Sequence, residues 1–248
     1  MVEGLARGVR HRPERRGQGL PKRILAWHEL ARDRLVGTEL TIVYCTLCGT
    51  VVPYRSEAGG RTFTGTSGLL YRSNKLMFDE ETRSLWNTTE GRPVIGVLAG
   101  SGLELRAEPV VTTTWGDWRA AHPGTTVMDR ETGHRRDYSE GAAYRDYFAT
   151  DELMFEVPWT DRKLKNKAEV VGILLSPVNR VYATDGRRFM AESRPQELRD
   201  EAGGIWSVHQ DAPRTVAASV PASFVRVPAR RAYWFGWQAQ FPATELVK

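Results

Sequence analysis

The chain is poor in cysteine, with two in 248 residues, and neither sits alone: Cys45 and Cys48 are two residues apart. A pair is too few for a four-cysteine zinc knuckle, which needs two such turns. No apolar run approaches the roughly 20 residues that would span a bilayer. Met1 to Gly19 lacks the apolar stretch of a secretory signal. Net positive charge is confined to one end. Of 35 basic and 30 acidic residues, seven basic and two acidic fall in residues 1–23, so the remainder is balanced. The pI of 9.3 therefore belongs to an arm, not to a face. No aromatic residue stands among its arginines to stack a base, which argues against nucleic acid. A solvated, disordered tail over residues 1–21 is the expectation, with phosphate or anionic lipid as the other use of such charge. No nucleotide-cofactor motif is present.

Aromatics are plentiful by contrast. Hydrophobic residues make up 41% and charged residues 26%, the balance of a globular protein with a real core. Eight tryptophans recur in a pattern. Trp115-Gly116-Asp117-Trp118 with Pro123 and Thr125 is echoed by Trp234-Phe235-Gly236-Trp237 with Pro242 and Thr244. Upstream, Leu85-Trp86 is echoed by Ile205-Trp206 and Gly60-Arg61-Thr62-Phe63 by Gly186-Arg187-Arg188-Phe189. Matching order and spacing predict an internal duplication. The expected fold is mainly β (α+β), two similar β-rich units each closed by a short Trp-rich helix. Boundaries follow: the tail 1–21, a first unit over 22–130, a connecting segment 131–170 and a shorter second unit 171–248.

Along the chain, Pro21-Lys22-Arg23 opens a helix whose apolar side is Ile24, Leu25, Trp27, His28, Leu30 and Ala31, with Arg32-Asp33-Arg34 as its polar end. Strands are expected over 39–44 and 50–54. Ser67–Asn74, rich in Gly, Ser and Asn, reads as a loop returning into a short strand. Ser84-Leu85-Trp86 and Val110–Thr113 are extended. Thr114 caps a helix that stops at Pro123.

Chemistry points to Tyr44-Cys45-Thr46-Leu47-Cys48-Gly49. β-branched runs on both sides and a Gly within make it a hairpin turn, with both sulfurs in one concavity. Two small core residues would share that spacing, but such a turn suits two jobs. With His28 as third ligand, Cys45 and Cys48 would hold a soft or borderline metal, copper or zinc, with a position open for substrate. Without metal, Cys45 is the nucleophile and Cys48 the resolving thiol of a dithiol oxidoreductase acting on a small-molecule or thiol substrate. No βαβ pattern surrounds the motif, which argues against a thioredoxin-like setting. Ser67, Tyr71, Ser73 and Asn74 are expected to line the pocket that the sulfurs face. Arg136 is a candidate for an anionic substrate group, because Arg pairs bidentately with carboxylate or phosphate; a salt-bridged loop would use it equally. The alternative class is a non-catalytic metal- or ligand-binding module.

Several blocks taken together resemble one family. They are Trp27-His28-Glu29, Tyr44-Cys45-x-x-Cys48-Gly49-Thr50, Ser67-Gly68-Leu69-Leu70-Tyr71-x-Ser73-Asn74, Ser84-Leu85-Trp86, Trp115-x-x-Trp118 with His122-Pro123, and Arg136-Asp137-Tyr138. In order, they resemble the DUF3179 family of uncharacterised proteins over nearly the whole chain from about Lys22. The resemblance implies redox or soft-metal chemistry at the cysteine motif, where family members can carry selenocysteine. It also implies exported or membrane-anchored relatives. Two departures stand out. The strand that usually leads into Pro21-Lys22-Arg23 is replaced by an Arg/Gly-rich stretch, as if the start were truncated. Phe241 stands where the closing helix commonly carries His.

Overall fold

The computed structural model describes residues 2–5, 17–157, 161–175, 180–185, 196–199, 205–212, 215–219, 226–227 and 229–247. For residues 2–5, and for the strands between 173 and 229, the description is of the backbone. The protein is mainly β, with short helices that close sheet ends. Four helices are described: α1 (Lys22–His28), α2 (Trp115–Ala121), α3 (Arg145–Ala149) and α4 (Trp234–Gln240).

At the centre is an antiparallel three-stranded sheet of Leu30–Leu35, Thr38–Cys45 and Thr50–Arg55. Its middle strand is buried from Leu40 to Cys45, because both faces are covered. Side chains alternate across a strand, and the two faces feed two cores. Ile42, Tyr44 and Val51 join Leu20 and Leu25 on one side. Val43, Val52 and Tyr54 join Phe63, Met77 and Trp86 on the other. A one-residue slip would exchange the faces, so these apolar runs fix the register.

Two elements differ from the sequence expectation. The first helix stops at His28, and Arg32-Asp33-Arg34 belong to a strand. Glu29 turns left-handed (φ 60°) and its N–H donates to the Leu25 carbonyl at 2.6 Å. The Tyr44 N–H then takes the Glu29 carbonyl at 2.7 Å, which starts the ladder. Val36 (φ 50°) and Gly37 (φ 74°) make a two-residue turn between Leu35 and Thr38, with the positive φ pair of type I′. Charge at the sheet edge keeps other chains from pairing there, so Arg32 and Arg34 fit an edge strand as well as a helix end.

Ser67–Asn74 is the second difference. It is a hairpin of Gly65–Tyr71 and Asn74–Asp79, turning at Arg72 (φ 45°) and Ser73 (φ 61°). Its register shifts between Ser67 and Leu70. A Cβ at Gly68 would lie 2.8 Å from the Leu76 carbonyl oxygen, so glycine marks a bulged strand where two backbones approach closely.

Two four-stranded sheets flank the centre. Val2–Leu5 and Gln18–Pro21, parts of the basic arm, pair with each other and with Val110–Thr113 and Thr126–Val127. In the second, Glu169–Leu175 and Arg180–Asp185 pair with Ala229–Tyr233 and Glu245–Val247. In both, two neighbours are antiparallel and the last strand joins parallel. A helix links the outer strands each time. α2 starts from Thr114 (φ −78°, ψ 152°) and ends at His122 (φ −136°, ψ 69°). For α4 the same positions are Tyr233 (φ −82°, ψ 147°) and Phe241 (φ −130°, ψ 69°). The Trp118 indole N–H donates to Thr125 Oγ1 and that of Trp237 to Thr244 Oγ1, each at 3.0 Å. Trp86 lies on the third strand of its four-stranded meander, and Trp206 on the second of its own. Gly186–Phe189 lies outside the described residues.

Trp118 and Trp237 are both buried beneath their helices. Replacing either with Ala is expected to cost about 3–5 kcal/mol by urea denaturation. Thr125→Val and Thr244→Val should each cost about 1–3 kcal/mol, because each hydroxyl accepts from its Trp indole and donates to a backbone carbonyl. Unequal losses within either pair would mean that the two caps are not energetically alike.

Candidate redox site at the cysteine turn

Residues 46–49 close the hairpin at its last pair, Cys45 with Thr50. The cysteines form a disulfide with Cα atoms 5.4 Å apart, inside the span that bridging tolerates. Gly49 takes φ 66°, and a Cβ there would meet the Tyr233 ring at 2.9 Å, so this turn needs glycine for conformation and for space.

Three hydrogen bonds hold the turn from three parts of the chain. Thr46 Oγ1 donates to the Ala26 carbonyl of α1 at 3.0 Å. The Tyr147 hydroxyl of α3 donates to the Leu47 carbonyl at 3.1 Å. The Tyr233 N–H donates to the Cys48 carbonyl at 2.7 Å. α4 then presses on Cys48: a Cβ built at Gly236 would sit 2.9 Å from Cys48 Cβ. Tyr233 and Phe235 form the apolar casing with the half-buried Leu153, Phe155 and Val157. Cys48 is fully buried and Cys45 is 4% exposed.

Thr46 also faces a cavity of about 770 Å³, walled by Tyr44, Phe148, Leu164 and Tyr233. Burial pushes the Tyr233 phenol up to about 12, with Glu169 adding to it and Arg231 opposing. Burial likewise raises Tyr147, so its hydroxyl stays protonated as a donor at neutral pH. The Lys167 ammonium lies 3.5 Å from the centre of the Tyr147 ring and donates to the carbonyls of Tyr147 and, at 2.7 Å, Thr150. Desolvation lowers its pKa, against the pull of Asp151 and Glu152.

Of the residues singled out in the sequence, Asn74 reaches the cysteine turn. Its amide donates to the Gly236 carbonyl at 2.7 Å, on the helix that presses on Cys48. Ser73 is buried beside it, with no partner for its hydroxyl among the described residues. The Tyr71 ring lies under the Arg72 guanidinium, and its carbonyl accepts from Gln240 at 2.9 Å. Ser67 belongs elsewhere, sharing the buried Lys75 ammonium with Glu29. None of these four lines the cavity.

His28 meets a different set. Its Nε2 lies 2.6 Å from the Tyr138 hydroxyl, and its ring is 5.2 Å from that of His134. Desolvation lowers its pKa, with His134 and Arg136 adding to the effect. Arg136 stacks on Trp27 at 5.6 Å, and the Trp27 indole donates to the Asp137 carbonyl at 2.8 Å. Arg136 is exposed. Among the described residues, no three His, Cys, Asp or Glu side chains come together as a metal site. Sequence reasoning missed Tyr147, Tyr233 and Gly236. Gly236 carried a signal: a glycine inside an otherwise bulky helix marks close approach of another element.

A family model described as Protein of unknown function (DUF3179) matches residues 16–197, and the chain belongs to that family. No curated protein and no solved structure matches it.

Gly→Ala inside a helix ordinarily stabilises by about 1 kcal/mol. At Gly236 the added carbon meets Cys48 Cβ, which cannot swing aside, so Gly236→Ala should instead destabilise by about 1–3 kcal/mol. A chemical melt that shows a gain would mean that α4 does not bear on the cysteine turn.

Proposed function

We propose that this member of the DUF3179 family is a thiol–disulfide oxidoreductase, with Cys45 and Cys48 as its redox couple and a thiol or disulfide compound as its substrate. The observation that carries the reading is the disulfide itself, closed across a sequence separation of 3. Loop-closure entropy makes so short a bridge worth only about 2 kcal/mol as a staple, less than bridges that close long loops. Three anchoring hydrogen bonds and a buried casing already hold the turn, so stapling adds little to what they supply.

In the reduced state, the Cys45 thiolate attacks one sulfur of a substrate disulfide. A mixed disulfide forms and the other substrate sulfur leaves as a thiolate. Cys48, deprotonated, then attacks Cys45 Sγ, releases the second substrate thiolate and closes the Cys45–Cys48 bond. Two electrons have passed from the dithiol to the substrate, and a thiol reductant returns them by the reverse exchange. The order follows accessibility, since Cys48 is fully buried and Cys45 is not. The casing of residues 153–157 and Tyr233 has to open for either exchange.

The same turn as a soft-metal centre for copper or zinc is the second reading, favoured by two sulfur donors on one turn. His28, its third ligand in the sequence reading, is engaged with Tyr138. The casing of Tyr233, Phe235, Leu153, Phe155 and Val157 supplies no donor side chain of the kind zinc takes. The donor set does not complete such a site.

The second half serves as scaffold in this reading, and we take the two Trp-capped sheets to descend from one duplicated unit. Their common strand order, capping angles and Trp–Thr hydrogen bonds support that.

Reduced Cys48→Ser protein, folded and mixed with oxidised glutathione, should form a stable mixed disulfide at Cys45, read by intact mass. Cys45→Ser should react at least about tenfold more slowly, because Cys48 is enclosed. If both variants stay unmodified until urea unfolds them, the pair is a staple and the redox reading fails.

A further inference from the structure

We propose that the cavity beside the cysteine turn binds a small organic anion with an apolar body. This rests on the cavity alone and holds whichever chemistry the cysteines perform. At about 770 Å³ it has the size of a small-molecule site. Part of its lining is apolar: Phe148, Leu164, Ala168 and the Tyr233 ring. Its charged lining is what selects the ligand.

Four cations and three carboxylates line the cavity, and their partners decide which are available. Asp151 is occupied by the backbone N–H groups of Asn166 and Lys167, at 3.0 and 2.9 Å. Glu169 is paired with Arg231. Lys167 gives its protons to the carbonyls of Tyr147 and Thr150. The side chains of Lys22, Arg23 and Lys165 have no hydrogen-bond or ion-pair partner among the described residues, and that of Glu140 is the acid without one. Three open cations against one open carboxylate favour a negative group at the mouth. An Arg among them can grip a planar carboxylate through two parallel hydrogen bonds. The apolar wall then takes the body of the same molecule, in the division that small-molecule sites usually show. Arg23 and Lys165 are exposed, so their loss leaves the fold alone.

Calorimetric titration of the full-length protein with 2-naphthoate, 2-naphthalenemethanol and 2-naphthylmethylammonium tests this, since the three share the naphthyl body and a one-carbon head that is negative, neutral or positive. Naphthoate should bind at least about tenfold more tightly than the other two, the scale of one charge-assisted contact. The double variant Arg23→Ala/Lys165→Ala should erase that preference and leave the affinity for the alcohol within about twofold, with an unchanged melting temperature. Equal binding of all three, a preference for the ammonium, or no binding of any below about 1 mM overturns the proposal. So does a naphthoate preference that survives in the double variant.

Discussion

The hydrogen bond from the Tyr233 N–H to the Cys48 carbonyl, 2.7 Å long, joins the C-terminal part of the chain to the cysteine turn. Around it the chain has little freedom. Gly49 has to be glycine for Tyr233 to lie against the turn, and Gly236 has to be glycine for α4 to lie against Cys48. Polar contacts extend the seam: Asn74 to the Gly236 carbonyl, Gln240 to the carbonyls of Tyr71 and Arg72, Asn87 to Gln240, and Arg230 to the Thr89 carbonyl. Buried polar groups left without such partners would each cost about 1–3 kcal/mol, so the seam is specific in register.

This arrangement explains how a turn can be held in place and still be chemically useful. The backbone of residues 46–48 is anchored by α1, α3 and the strand before α4, whereas the cysteine side chains pack in a cluster with Tyr233, Phe235, Leu153, Phe155 and Val157. Exposing the sulfurs therefore needs side chains of the casing to move and no hydrogen bond of the turn to break. Tyr233 is common to the sulfur casing and to the wall of the neighbouring cavity.

Local patterns in the sequence were enough for the cysteine hairpin, where β-branched runs flank a glycine turn, and for α2, where Thr114 caps and Pro123 follows. The strand Leu30–Leu35 was not legible. Arg32-Asp33-Arg34 suits a helix end as well as an edge, and pairing with Thr38–Cys45 decides between them. Left-handed Val36, Arg72 and Ser73 hid two tight turns, because residues other than glycine rarely occupy that region. The pairing of Cys45 with Cys48 was legible in their spacing. The contacts that hold the turn come from afar: Tyr147 is 100 residues from Leu47 in sequence. Such contacts leave no periodic trace.

The central claim, that the disulfide is a working couple, is tested most directly by its midpoint potential. The folded protein would be equilibrated in dithiothreitol and glutathione buffers of known poise, and its free thiols counted after acid quenching and alkylation. A reversible two-electron transition between about −300 and −120 mV, in the range of thiol oxidoreductases, is the predicted result. A midpoint well below about −300 mV, or reduction only together with unfolding, would make the bridge a structural one and contradict the account.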